Sequence, residues 1–264
     1  MRRRRTESRR VLSRDLPRES PRFSIPPVAD FRREYLDFER GIRIGRLEPE
    51  QRLTRVLKCA LESAFGAPFA TVRWGRGLYW QWIGFFPKIA RQAKASFGCA
   101  KYFVSLDRQQ RALHAGMQVE RGYVTPPPEF QECRLQANWD WHRLLALLRS
   151  GGAAERLLAE RVMQDGFRIF VGSWAGGREF TAANFTGLST IRRVIARAPA
   201  RAWCGFQLFY PLREEEIRAM DGRDILDAIL AIFAEVTPLV SACWDVRLWP
   251  PQAEDAASRK RATT

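Results

Sequence analysis

The sequence predicts an α+β protein in which a mixed or antiparallel sheet packs with amphipathic helices. Three observations point there. Apolar residues recur at helical spacing in residues 48–66 and 222–244. Short aromatic or β-branched runs, "PFATVRW", "YWQWIGFF", "KYFVSL" and "ALHAGMQVERGY", are divided by glycine, proline or polar turns. Strand-like and helix-like segments then alternate to the end of the chain, a texture of mixed architecture.

In chain order, residues 1–27 form a basic arm that lacks the apolar content to fold, and they are expected to be disordered. "VADFRREYLDFERG" carries Phe31, Tyr35 and Phe38 at helical spacing and stops at Gly41, which predicts a helix. "EPEQRLTRVLKCALESAFG" predicts a second, with acids at its start and Gly66 at its end. A strand-rich part occupies 69–124, interrupted by "PKIARQAKASFG", which fits a short helix or a basic loop. "TPPPEF" closes this part, because proline supplies no ladder donor.

The mixed part, 137–250, begins with two helices split by Gly151 and Gly152. A strand "FRIFVGSW", a helix "LSTIRRVIARA" and a strand "AWCGFQLFYPL" follow. A long helix from Asp221 is expected to bend or end at Pro238. Residues 28–250 are expected to be one domain, since no flexible linker divides them, and 251–264 a disordered tail.

The 264 residues carry a net charge of +15. Residues 1–33 hold 11 arginines against 4 acids, so about half the excess sits on the arm. Such an arm can hold phosphates without sequence preference. No uninterrupted apolar run approaches the ~18 residues of a membrane span, and no apolar segment follows the arginine-rich start, so no membrane partner is expected. Five dispersed cysteines without a C-x-x-C pair read as reduced thiols of a cytoplasmic protein. Only His114 and His142 are available as imidazole ligands, and neither a metal nor another cofactor is expected.

Catalytic motifs are missing: there is no phosphate-binding P-loop, no complete dinucleotide loop and no G-x-S-x-G elbow. Asp107, Glu120 and Glu179 are the carboxylates in strand-like context, and a metal-dependent nuclease or other small enzyme would need them to converge. "WGRGLYWQWIGFF" offers a different chemistry, rings interleaved with cations. Trp74, Arg76, Tyr79, Trp80, Lys88, Arg91 and Lys94 suit a surface on which a base stacks while cations hold the backbone. Strict alternation would place Leu78, Trp80, Trp82 and Gly84 on one face and Tyr79, Gln81, Ile83 and Phe85 on the other, both largely apolar, as in a buried central strand.

The order of "WGRGLYWQWIGFF", "KYFVSL" and "ALHAGMQVERGY" resembles the amino-terminal DNA-binding domain of McrB-type modified-cytosine restriction proteins. The similar positions are Gly75, Gly77, Trp82, Ile83, Tyr102, Val104, Leu113 and Gly122, within about 50 residues of the chain. The resemblance implies sensing of a modified base turned out of the DNA stack into an aromatic pocket. The GTPase motor of such proteins has no counterpart here, so restriction would need a partner. The expected function is therefore a non-enzymatic DNA-binding protein, a standalone modified-DNA-sensing or defence module. The enzyme above and a protein-interaction scaffold are the alternatives.

Overall fold

A computed structural model describes Leu16 and residues 20–91, 94–149, 152–173 and 176–248. Its centre is one antiparallel sheet of nine strands. These are β1 (Leu36–Asp37), β2 (Gly41–Arg43), β3 (Phe69–Arg76), β4 (Tyr79–Pro87), β5 (Lys101–Asp107), β6 (Ala112–Gly122), β7 (Arg168–Ser173), β8 (Gly176–Phe180) and β9 (Cys204–Arg213). The spatial order is β1-β2-β4-β5-β6-β9-β7-β8, with β3 also paired to β4. The helices are α1 (Leu53–Phe65), α2 (Asp140–Leu147), α3 (Ala153–Met163), α4 (Leu188–Arg197), α5 (Glu214–Arg218) and α6 (Gly222–Cys243). The α+β class with an antiparallel sheet is thus as the sequence predicts.

One face of the sheet forms the core. Ile83 and Phe85 of β4, Tyr102 and Val104 of β5, Leu113 to Val119 at alternate positions of β6, Ile169 and Val171 of β7, and Phe206 and Leu208 of β9 are buried there. Against them lie Leu53, Val56, Leu57, Ala60 and Leu61 of α1, the i, i+3, i+4 stripe the sequence shows. Leu188, Ile191 and Ile195 of α4 and the apolar length of α6 complete the layer. α6 is long and apolar enough to cross a membrane by length and composition, and 61% of its most apolar window is buried in this layer.

Three expectations change. The helix predicted for 28–41 is instead a single 3-10 turn at Arg33–Tyr35 and the β1-β2 hairpin. The Asp37 carboxylate accepts from the backbone N–H groups of Glu39 and Arg40, both at 2.9 Å, and that local bond competes with helix formation. Ordered chain also begins well before residue 28: Ile25 is buried, and Phe23 meets Phe65 and Tyr102 edge-on. Residues 1–15, 17–19 and 249–264, which are the remainder of the predicted arm, the last two residues of the predicted domain and the predicted tail, lie outside the described residues. Finally, of the two outcomes expected at Pro238 the ending does not occur, since α6 runs on to Cys243. The stretch 87–98, read as a short helix or loop, forms two 3-10 turns, Lys88–Arg91 and Ser96–Gly98.

Candidate functional site

The other face of the sheet lines an open groove of about 870 Å³. Its side chains fall in cross-strand rows, because antiparallel partners project to the same face. One row reads Trp74, Trp82, Ser105, His114 and Pro211 across β3, β4, β5, β6 and β9. The next reads Val72, Gly84, Phe103, Gly116, Phe209 and Arg168. Then come Lys101, Gln118, Gln207, Phe170 and Glu179, and beyond them Glu120, Gly205, Gly172 and Gly177.

Glycines give this face its depth. Gly205, Gly172 and Gly177 are neighbours on three successive strands, so the floor there lacks side chains. Rings lean into two of the gaps: the Trp82 indole lies where a Cβ on Gly84 would stand, and the Phe170 ring does the same at Gly177. Phe97 and Trp203, 5.8 Å apart edge to face, stand at one end, and the β5-β6 turn at 108–110 stands at the other.

The polar groups of the floor are held in place. Glu120 pairs with Lys101, whose side chain is 1% exposed. Arg168 pairs with Glu179 at 3.0 Å. Gln118 Oε1 accepts from Trp82 Nε1 at 3.1 Å and from Gln207 Nε2 at 2.8 Å. His114 packs on Phe209 with ring centres 4.4 Å apart, and its Nε2 is buried without a hydrogen-bond partner. Burial holds the His114 pKa down at about 4, with Asp107 opposing the shift and Arg168 adding to it, so the imidazole is neutral at pH 7.

No protein-family model matches this chain, nor does any curated protein or solved structure.

The structure separates the residues that the sequence groups as a base-stacking surface. Trp74 is 56% exposed on β3, lines the groove, and stands two residues from the exposed Arg76. Lys88 and Arg91, also exposed, follow the far end of β4, about 25 Å away at ~3.3 Å per residue. Lys94 is not on the surface at all. Its ammonium is buried 2.6 Å from Asp140 Oδ1 and 3.3 Å from Asp245, where it neutralises a carboxylate fixed by the Ala100 N–H at 2.7 Å.

The aromatic wall is likewise rearranged by a bulge. Trp74 pairs with Trp82 but Gly75 pairs with Trp80, so Gln81 is an extra residue on β4. Alternation therefore fails at this point. Trp80 packs toward the helical layer beneath the Arg73 guanidinium, 3.8 Å from the ring centre, while Gln81 joins Trp82 in the groove. Tyr79 is half-buried with Arg40 5.8 Å from its ring centre. Neither ring is a free stacking platform.

Asp107, Glu120 and Glu179 do line one groove, yet they do not converge. Asp107 pairs with Ala112, eight residues along β6 from Glu120, which separates them by about 25 Å. Glu120 and Glu179 are three strand spacings apart, roughly 14 Å. Asp107 caps its own turn through the N–H groups of Gln109 and Gln110. Among the described residues no group of three His, Cys, Asp or Glu side chains is placed to hold a metal ion. The cysteines are free, four of them buried, and burial pushes the Cys99 thiol up to about 11, which leaves it protonated and unreactive at pH 7.

Gln118, Gln207, Phe170 and the glycine row are absent from the sequence reading. A signal for the row does exist, since "WCGFQLF", "IFVGSW" and "AGGREF" each place glycine inside or beside a strand, where it weakens the strand unless something approaches closely.

Proposed function

We propose that this is a binding protein whose open sheet face receives an extended segment of a partner polypeptide. The observation that supports it is the lining of the groove. Its lining cations, Arg73, Lys101 and Arg108, with Arg168 on the same face, are nearly matched by its carboxylates, Asp107, Glu120 and Glu179. With Glu120 held by Lys101 and Glu179 by Arg168, the groove offers little net attraction to phosphates, despite the +15 of the whole chain. Rings at Trp74, Trp82, Phe97, Phe170 and Trp203, with amides between them, match the composition of protein interfaces. The length of about 25 Å fits seven or eight extended residues.

The test is selection of binders from a random octapeptide library on the full chain, followed by Gly205→Leu. A Cβ at Gly205 meets nothing nearer than 3.6 Å, so the backbone there admits the first carbon of a side chain, and leucine extends it over the bare floor. Binding should fall while the thermal unfolding midpoint stays put. Peptides that bind the variant as tightly as the parent would end this reading.

A second reading keeps DNA as the ligand, with recognition of a modified base as the resemblance implies, and it is favoured by Trp74 and Arg76 standing exposed together at the groove rim. It predicts binding of labelled DNA that weakens steeply with salt and is lost in Arg76→Ala. Salt-insensitive binding would count against it.

A further inference from the structure

The donor and acceptor directions in the middle of the groove are fixed by one side chain. Trp82 Nε1 carries a hydrogen and can only donate, so the atom of Gln118 facing it must be the carbonyl oxygen. The same Oε1 also receives Gln207, which therefore turns its NH₂ inward. Any reversal of either amide would set two donors or two acceptors against each other. What is left to pair is Nε2 of Gln118, a donor, and Oε1 of Gln207, an acceptor, on two side chains that line the groove. Neither has a partner among the described residues, and neither is sealed from solvent. Gln118 is itself 9% exposed and sits between Lys101 and Gln207 in the row that ends at Glu179.

We propose that this pair is an amide-reading subsite, which takes the side-chain carboxamide of an asparagine or glutamine from the partner segment. The carboxamide oxygen accepts from Gln118 Nε2 and its NH₂ donates to Gln207 Oε1, a two-point contact. A carboxylate of the same shape brings a second acceptor against Gln207 Oε1 and is refused. An aliphatic side chain leaves both groups unpaired. Adenine and cytosine present a similar donor-acceptor edge, but they arrive with phosphates that the paired charges of this groove attract only weakly. The inference rests on the polypeptide reading given above.

The test is titration of the ¹⁵N-labelled full chain, followed at the side-chain NH₂ signals of Gln118. The probes are N-acetylglutamine methylamide, N-acetylglutamate methylamide and adenosine. The glutamine probe should move the Gln118 signals saturably, with the glutamate probe weaker by about tenfold or more and adenosine, which carries no phosphate, no tighter than the glutamine probe. Gln207→Met, which leaves the Trp82–Gln118 bond intact, should remove the response while the Trp82 indole signal stays in place. Equal response to the glutamate probe, tighter saturation by adenosine, or no movement with any probe overturns the subsite. If selected octapeptides depend on Gly205 yet tolerate replacement of every Asn and Gln by Asp and Glu, the subsite falls and the polypeptide reading stands. If no Gly205-dependent peptide is found, the reading itself falls.

Discussion

The indole of Trp82 reaches from the row of Ser105 and His114 across Gly84 to donate to Gln118 at 3.1 Å. Space over Gly84 makes that reach possible: a Cβ there would stand 2.4 Å from Trp82 Cη2 and 3.0 Å from Lys101 Cδ. Gly84→Ala is expected to push the ring off the floor, at a cost of about 1–3 kcal/mol, with a red shift in tryptophan emission. Trp82→Phe keeps a ring but loses the donor. Its cost should be about 0.5–1.5 kcal/mol in urea unfolding, and the Gln118 NH₂ signals should broaden as its two orientations become alike. Unchanged emission in Gly84→Ala would show that the ring does not depend on the gap.

Lys94 and its neighbours along the chain separate folding from surface charge. With Lys94 replaced by methionine, Asp140 keeps only the Ala100 N–H and Arg143 at 3.3 Å, inside a site whose burial already raises its pKa. Removal of one partner from a buried pair costs about 3–5 kcal/mol. Lys88→Ala and Arg91→Ala, on exposed turns, should stay within about 0.5 kcal/mol of the parent. Urea midpoints of the three variants check this ordering, and a mild Lys94→Met would return that residue to the surface.

Much of the fold is legible in the sequence because its periodic elements answer to local rules. α1, α4 and the bulk of α6 follow a period of 3.6, and β5, β7 and β9 alternate or run apolar between turn residues. What escapes is decided by partners distant in the chain. Strict alternation misplaces Trp80 because the bulge at Gln81 appears only once β3 is paired with β4. The groove escapes for the same reason: Gly172, Gly177 and Gly205 are unremarkable singly and make a floor only in register. Lys94 looks like one more surface cation in "KIARQAK" until α2 brings Asp140 to it. Trp74 is the one predicted site residue that is both exposed and in the groove.

The passage of α6 through Pro238 has a similar long-range cause. Proline at this position has no N–H to offer the Ala234 carbonyl four residues earlier. Ser20 Oγ donates to that carbonyl instead, at 2.6 Å. Ser20→Ala is expected to leave it unpaired at about 1–3 kcal/mol. In a Pro238→Ala background the new backbone N–H can take the bond, so the serine should matter much less, by a coupling of about 1 kcal/mol. A double-mutant cycle by urea unfolding measures this directly, and strict additivity would break the link between the two residues.

The buried His114 sets a pH window of its own. Its pKa is about 4 in the fold and near 6.5 when unfolded. Between those values the unfolded chain holds a proton that the native chain does not, so stability rises with pH and is lost as pH falls from 6.5 toward 4. The full effect is about 3 kcal/mol at ~1.4 kcal/mol per unit. The nearby charges act in opposite senses, Asp107 favouring protonation and Arg168 resisting it, and burial outweighs both. Glu214, held low by Arg111, and Asp30, held low by Gln51 and Arg32, respond only below about pH 4.5. Both therefore separate from His114 on the pH axis, and Asp140, whose pKa burial raises, acts against the His114 slope and not with it. His114→Phe keeps a ring against Phe209 and removes the titration. Its stability should be flat from pH 6.5 to 4.5 where the parent declines, and also higher at pH 7, since an unpaired buried nitrogen is gone. Parallel declines of the two proteins would mean that another group titrates in this window.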